Sequence, residues 1–213
     1  MQGRRKIAVL SEAVICSLGI MIFAFFIQYK FPARLISISA LLVSAYIISR
    51  NIRTRQDLNM VFGGSRSFKI ILIFTIIGIA LGITGTIIYR DSQDISLLPR
   101  SMHLFVIPAA LIGCMEELVF RGFIQGYVNR INGLMSVLVS TLSHTGYKCC
   151  LFLAPAVAAD IDIGHLAFYT FIAGILLGAI RKLSESLIPS LSAHALFDIL
   201  VYAEAVQAPW WVW

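Results

Sequence analysis

The sequence predicts an all-α integral membrane protein: a polytopic helical bundle of about seven transmembrane helices with a polar cavity inside it. Three observations support this prediction, namely the composition, the spacing of apolar segments, and charged residues inside one of those segments. Of the 213 residues, 59% are hydrophobic and 13% are charged, and the mean hydropathy is +0.87. Soluble domains average about 45–50% apolar and about 25% charged residues, so the composition excludes an ordinary soluble protein. The length suits a single domain over residues 1–213.

Seven apolar segments approach the length of about 20 residues that a bilayer crossing needs. They lie at residues 7–29, 33–49, 69–89, 103–127, 133–154, 163–180 and 187–206. The fifth could break near Tyr147-Lys148, and the polar stretch 50–68 predicts a loop or a surface-lying helix. Glycines at 78, 82 and 85 predict a close-packing face on the third segment, because small residues let membrane helices approach each other.

The distribution of basic residues predicts the orientation in the membrane. Lysine and arginine outnumber acidic residues by 17 to 11, a balance also seen in nucleic-acid-binding proteins, but here they fall in short loops between apolar segments. With the N-terminus inside, the inner loops hold eleven basic residues and the outer loops five, Lys148 among them. The positive-inside rule therefore predicts a cytoplasmic N-terminus in the cell membrane, with lipid and not nucleic acid as the partner. Seven crossings would place Trp210–Trp213 on the far side as an aromatic anchor.

Charged residues inside the fourth apolar segment mark the candidate site. Glu116, Glu117 and Arg121 lie midway along residues 103–127, where each charge costs about 2.5–3.5 kcal/mol on insertion scales. On a helix, Glu117 and Arg121 are one turn apart and can pair, whereas Glu116 projects about 100° away. One carboxylate can thus be neutralised while the other faces a cavity, where it can act as a general base.

Further polar residues lie on later segments. His144 is on the fifth segment, and His194 and Asp198 share one face of the last, because they are four residues apart. Side chains from three helices could therefore converge on one water molecule, which Glu116 and one histidine would polarise while the other histidine stabilises an oxyanion. The alternative is structural: an ion network for the three charged residues, and interhelical hydrogen bonds for the histidines.

Three motifs follow one another along the second half of the chain. They are Glu-Glu-x-x-x-Arg at residue 116, a histidine at residue 144 in the next apolar segment, and His-x-x-x-Asp at residue 194. Their order and context resemble the CPBP family, which comprises the CAAX prenyl proteases and bacteriocin-processing relatives and is described as glutamic intramembrane endopeptidases. The resemblance covers about residues 103–206, including the glycine-spaced run 171–178.

The resemblance implies roles for the candidate residues. Glu116 would activate water with the assistance of His144, and His194 would stabilise the oxyanion. Asp198 would occupy a position that the family fills with Asn or Asp. The supporting pair would be Glu117 and Arg121.

Two positions need comment in relation to the family pattern. Ser140 stands where the family usually has phenylalanine, which would alter the packing behind His144. An asparagine at residue 198 could donate an N–H to an oxyanion. The ionised Asp198 of this chain can only accept a hydrogen bond. We therefore expect Asp198 to orient and charge His194, leaving His194 as the donor.

The expected function is that of an intramembrane endopeptidase acting on a membrane-associated or lipidated, for example prenylated, peptide or protein substrate. Two alternatives stay open. A zinc-dependent membrane metalloprotease is one, because a glutamate, two histidines and an aspartate are plausible ligands. A non-catalytic membrane protein, serving bacteriocin immunity or as a scaffold, is the other. The sequence has no His-Glu-x-x-His motif and no Cys-x-x-Cys spacing, so we expect neither a metal nor another cofactor.

Overall fold

The computed structural model describes residues 2–64, 67–154 and 162–206, and every regular element in these ranges is helical. The helices are α1 (Gln2–Phe26), α2 (Arg34–Asn51), α3 (Arg55–Phe62), α4 (Phe68–Ser92), α5 (Val106–Glu117), a π-helical segment (Leu118–Ile124), α6 (Gln125–Val128), α7 (Gly133–Leu153), α8 (Ile163–Ser184) and α9 (Ile188–Val201). The all-α prediction is confirmed, and each of the seven apolar segments contains a helix. The expected aromatic anchor, Trp210–Trp213, lies outside the described residues.

Three of the described helical stretches are long and apolar enough to cross a bilayer: Lys6–Phe26, Phe68–Ser92 and Ile163–Ser184. Helix α9 is also apolar but shorter. Helix α7 has the length, but it carries a row of buried polar side chains that lowers its hydropathy. Large apolar side chains are exposed along the helices of the bundle, such as Leu42 of α2 with 65% exposure, and such surfaces suit lipid contact. Seven crossings remain a prediction.

The polar stretch between the second and third apolar segments contains the short helix α3. Its first turn is closed by a capping box, in which the Thr54 hydroxyl accepts from the Asp57 amide and the Asp57 carboxylate accepts from the Thr54 amide. Asp57 also pairs with Arg130, just after α6, at 2.8 Å. These contacts fasten α3 to the bundle. Of the two predictions for this stretch, a loop or a surface-lying helix, the structure has a short helix.

Helix α7 runs unbroken from Gly133 to Leu153, so the expectation of a break near Tyr147-Lys148 is wrong. Neither residue type interrupts a helix, since both have ordinary helix propensity. The consequence is that Lys148 lies one turn after His144, on the same face of α7.

Helices α4 and α5 both pack against α9, α7 packs against α8, and α1 lies between α2 and α7. Two of the predicted close-packing glycines lie where α4 meets α9. A Cβ on Gly82 would be 2.5 Å from the carbonyl oxygen of Ala193, and a Cβ on Gly78 would be 2.5 Å from that of Pro189. The close-packing prediction is confirmed at these two positions, which set the depth of α9.

Because of this backbone contact, Gly82→Ala is expected to destabilise the protein by about 1–3 kcal/mol, the usual cost of overpacking. Thermal unfolding in detergent measures the effect. Gly85→Ala is the matched control, because its Cβ would meet only the Phe197 ring, at 3.3 Å, and that side chain can shift. Equal unfolding temperatures for the two variants would contradict the close contact at Gly82.

The other end of α4 is fastened to α9 through Arg90. This side chain is fully buried and donates to the carbonyl oxygens of Ser96 at 2.6 Å and Leu200 at 3.1 Å. It also donates to the Glu204 carboxylate at 2.7 Å. Helix α9 is therefore fixed near both of its ends, and His194 lies between these two contacts.

Candidate active site

Two glutamates end α5, and the backbone widens directly after them. Glu116 and Glu117 are the last residues of α5, and the π-helical segment begins at Leu118. Short π-helical segments occur frequently at functional sites. The Ser140 hydroxyl, on α7, donates to the carbonyl oxygen of Phe120 at 2.7 Å and so ties the π-helical segment to α7.

Arg121 lies within the π-helical segment and is fully buried. Its Nη1 is 2.8 Å from the Oε1 of Glu117, so the predicted pair is present. The same Nη1 is 2.9 Å from the Nδ1 of His144. Since arginine only donates, Nδ1 of His144 must accept, and the ring proton is therefore on Nε2.

Glu116 is buried inside the bundle and is held on both of its carboxylate oxygens. Oε2 is 3.1 Å from Nε2 of His144, which donates to it. Oε1 accepts from the Nζ of Lys148 at 2.6 Å. A carboxylate has about four acceptor positions, so Glu116 can accept further hydrogen bonds in addition to these two.

Lys148 was not among the residues that the sequence indicated, and its assignment to an outer loop is wrong. It belongs to α7, and its ammonium group reaches into the site while its side chain keeps 25% exposure. The signal that could have found it is its spacing of four residues from His144. The same spacing relates His194 to Asp198 on α9.

His194 and Asp198 reach the site from α9. Nδ1 of His194 is 2.9 Å from Oε1 of Glu117, a hydrogen bond, whereas its Nε2 is 3.7 Å from Oδ2 of Asp198. Nε2 is also 3.8 Å from Oε2 of Glu116. The carboxylate that orients His194 through a hydrogen bond is therefore Glu117. Asp198, which we expected in that role, is only a close charged neighbour.

The approach of α9 to α5 depends on Gly113. A Cβ at this position would overlap the Asp198 carboxylate and would lie 3.1 Å from Cδ2 of His194. One turn before the glutamates, α5 therefore leaves room for both polar side chains of α9. All six residues indicated by the sequence meet in this one cluster, which lies between α5, the π-helical segment, α7 and α9.

Aromatic rings pack beside His144. The ring centroid of Phe120 is 4.7 Å from that of His144, and the Tyr147 ring is nearly parallel to the imidazole at 6.4 Å. An altered packing behind His144 was expected because Ser140 replaces a phenylalanine. In the structure the Ser140 hydroxyl bonds to the Phe120 carbonyl oxygen, and the Phe120 ring packs against His144.

The donor set gives little support to the zinc alternative. Both ring nitrogens of His144 are engaged, one with Arg121 and one with Glu116, so no lone pair is left to bind a metal. In the described ranges, no group of three or more His, Cys, Asp or Glu residues has the arrangement of a metal site.

Residues 98–200 match the family model described as Rce1-like, a type II CAAX prenyl endopeptidase. The match spans just under half of the chain and contains the site residues of α5, the π-helical segment, α7 and α9. No curated protein and no solved structure matches the chain.

Proposed function

Because the chain belongs to the CAAX prenyl protease family through its Rce1-like residues 98–200, we propose that it hydrolyses a peptide bond in a prenylated or otherwise membrane-bound substrate. Family membership indicates an intramembrane endopeptidase, and the roles of individual residues are our proposal. One observation carries it. Glu116 is a buried carboxylate whose Oε2 lies 3.1 Å from one imidazole and 3.8 Å from another.

We place the reacting water at the longer of these two contacts. A separation of 3.8 Å between Oε2 of Glu116 and Nε2 of His194 exceeds a direct hydrogen bond, which ends near 3.2 Å. A water molecule to one side of this pair of atoms can bond to both. In this position the water donates to Glu116 and lies next to His194.

The roles of the two histidines differ because their ring nitrogens are fixed by different partners. Arg121 holds the Nδ1 of His144, so this ring donates from Nε2 and orients the Glu116 carboxylate. Glu117 accepts from the Nδ1 of His194 and leaves Nε2 directed toward the reacting atoms. His144 is thus a positioning residue in our proposal, and His194 contacts the substrate.

The hydrolytic step uses these positions directly. Glu116 takes a proton from the water, and the water oxygen attacks the peptide carbonyl carbon. The resulting oxyanion accepts a hydrogen bond from Nε2–H of His194. The C–N bond then breaks, and Glu116 returns the proton to the leaving amine. General acid–base catalysis of this kind contributes about 10²–10⁴-fold, and one oxyanion donor about 10²–10³-fold.

The charges of the cluster support a protonated His194 in this step. Three carboxylates face two fixed cations, Arg121 and Lys148, while His144 stays neutral as long as Arg121 occupies its Nδ1. An imidazolium at His194 brings the cluster to neutrality, which a low-dielectric interior favours. Asp198 at 3.7 Å supplies a negative charge on the side of Nε2.

Lys148 positions Glu116, since it fixes the carboxylate oxygen opposite to the one that His144 holds. Lys148→Met is expected to lower kcat by at least about 10-fold with little change in KM, because a misplaced catalytic group can cost up to about 10²-fold. Steady-state cleavage of a prenylated peptide measures both constants. Lys148→Arg, which keeps a donor, should recover most of kcat. A faster Lys148→Met enzyme would show instead that Lys148 obstructs the site.

The proposed function is tested with purified protein in detergent and two peptides of the same CAAX sequence, one prenylated and one unmodified. We expect cleavage of the prenylated peptide, detected by mass spectrometry, at a rate that a chelator does not change. Folded protein that cleaves neither peptide would contradict the proposed substrate. Activity lost on chelation and restored by zinc would favour the metalloprotease.

A further inference from the structure

Apart from the active-site cluster, a polar cleft lies at the end of the bundle where α1 begins and α8 ends. Its volume is about 1130 Å³, and it is bordered by the first turns of α1, by α3, by the Gly63-Gly64 turn, by α6 with the residues that follow it, and by the last turn of α8. None of the residues assigned to the active site lines this cleft. The cleft is therefore a separate feature, and its chemistry is independent of the proposed peptidase activity.

The lining of the cleft is rich in positive charge. It includes two acidic residues, Asp57 and Glu185, and four basic residues: Lys6, Arg130, Arg181 and Lys182. One acid–base pair is internal, since Arg130 contacts Asp57 at 2.8 Å. The hydrogen bond from the Thr54 hydroxyl and further bonds from backbone amides lower the pKa of Asp57 to about 2, so this pair persists at neutral pH. The lining as a whole keeps an excess of two positive charges.

Arg181 is the most deeply placed of these cations, with 8% exposure. Its Nη2 donates to the carbonyl oxygens of Met60 at 2.9 Å and Val61 at 3.4 Å, both in α3. Its Nε is buried and has no hydrogen-bond partner in the described part of the chain. The fold thus holds a guanidinium rigidly at the wall of the cleft, where a bound anion would offset the cost of burying its charge.

The same cleft has an apolar side. Val9, Ile131 and Leu183 contribute to its lining, and Leu183 is largely exposed. Two of the bordering helices, α1 and α8, are among the candidate membrane spans. A ligand seated here would meet cations on one side and the acyl region of a bilayer on the other. An amphiphile fits this arrangement better than a freely soluble anion does.

We propose that this cleft binds the phosphate of an anionic phospholipid headgroup. Lysine and arginine donors recognise phosphate, and basic pockets between membrane helices on the cytoplasmic side are suited to such headgroups. The positive-inside rule assigns this end of the bundle to the cytoplasm. The volume admits a glycerophosphate headgroup. Free inorganic phosphate offers the same polar chemistry without the apolar contacts.

The test compares ligands and charge variants of the whole protein in a neutral detergent. Binding of phosphatidylglycerol, phosphatidylcholine and inorganic phosphate is measured by native mass spectrometry and by the shift in thermal unfolding. The variant Lys6→Gln/Lys182→Gln removes two cations of the cleft and leaves the anchored Arg181 in place. The matched control, Lys30→Gln/Lys69→Gln, removes two lysines that do not line the cleft.

We expect phosphatidylglycerol to bind at least about 10-fold more weakly to the cleft variant than to the wild type and the control. Phosphatidylcholine should bind weakly to all three, because its headgroup carries no net charge. Equal phosphatidylglycerol binding by the wild type and the cleft variant would overturn the proposal. Inorganic phosphate could also stabilise the wild type as much as phosphatidylglycerol does and fail to stabilise the cleft variant. That result would show that the cleft binds free phosphate and would contradict the proposal of a lipid ligand.

Discussion

Glu116→Gln is expected to lower kcat for a prenylated CAAX peptide by about 10³-fold while leaving the protein folded. The amide keeps the size of the side chain, and its oxygen can still accept from the Nε2 of His144, while its NH2 group replaces the oxygen that accepted from Lys148. It cannot take a proton from water at neutral pH, so the step assigned to Glu116 is lost. Initial rates of product formation, measured by mass spectrometry at saturating peptide, give the effect.

The control for Glu116→Gln is Asp91→Asn, which removes a carboxylate that is exposed at the end of α4. This variant should keep the wild-type rate. Both variants should also be folded at the assay temperature, which thermal unfolding checks. A Glu116→Gln enzyme that keeps more than a tenth of the wild-type kcat would show that another group activates the water.

Arg121→Met is expected to destabilise the protein by about 3–5 kcal/mol, the usual cost of removing one partner of a buried ion pair. Arg121 and Glu117 are both fully buried, so the substitution removes the guanidinium that pairs with Glu117 and leaves His194 as the remaining cation beside this carboxylate. It also removes the donor to the Nδ1 of His144, and activity should fall with the loss of that ring's fixed tautomer. Unfolding by heat or by denaturing detergent measures the change in stability.

A second substitution separates the charge effect from simple loss of packing. In Glu117→Gln/Arg121→Met the buried charge is gone, and the amide oxygen can still accept from Nδ1 of His194. This double variant should recover much of the lost stability but not the activity. Arg50→Met serves as the control, because Arg50 pairs with Glu12 in a more exposed position and should change stability far less. Arg121→Met with wild-type stability would contradict the structural role of the pair.

The residues of the site could be predicted from the sequence because charged and polar side chains are rare inside apolar membrane segments. Glu116, Glu117 and Arg121 stand in an apolar segment, where a charge is costly, and His194 and Asp198 share a helix face through their spacing. Such signals are local to one helix. They select the side chains that must turn inward, and these are the residues that meet in the structure.

The contacts between helices could not be predicted in the same way, since they depend on how far each helix is rotated. Spacing within α9 suggested that Asp198 orients His194, but the rotation of α9 against α5 brings Glu117 to the Nδ1 of that ring instead. Lys148 was assigned to a loop because a break in α7 was expected. The unbroken helix turns it toward Glu116.

The basic cleft could not be predicted from the sequence for a related reason. Its cations come from α1, from the turn after α6 and from α8, which are far apart in sequence, and each of them separately indicates only a cytoplasmic loop. In the sequence, Arg181 looks like any basic residue at the cytoplasmic end of a membrane helix. The structure shows that it donates to two carbonyl oxygens of α3.

The most direct test of the claim that His144 positions Glu116 for catalysis is a double-mutant cycle on kcat with Glu116→Gln, His144→Ala and the two together. Residues that act as a unit give strongly non-additive losses. If His144 works only by orienting the Glu116 carboxylate, the double variant should be no slower than the slower of the two single variants. Losses that multiply in the double variant would mean that the two side chains act independently, and His144 would then not be the residue that orients the Glu116 carboxylate.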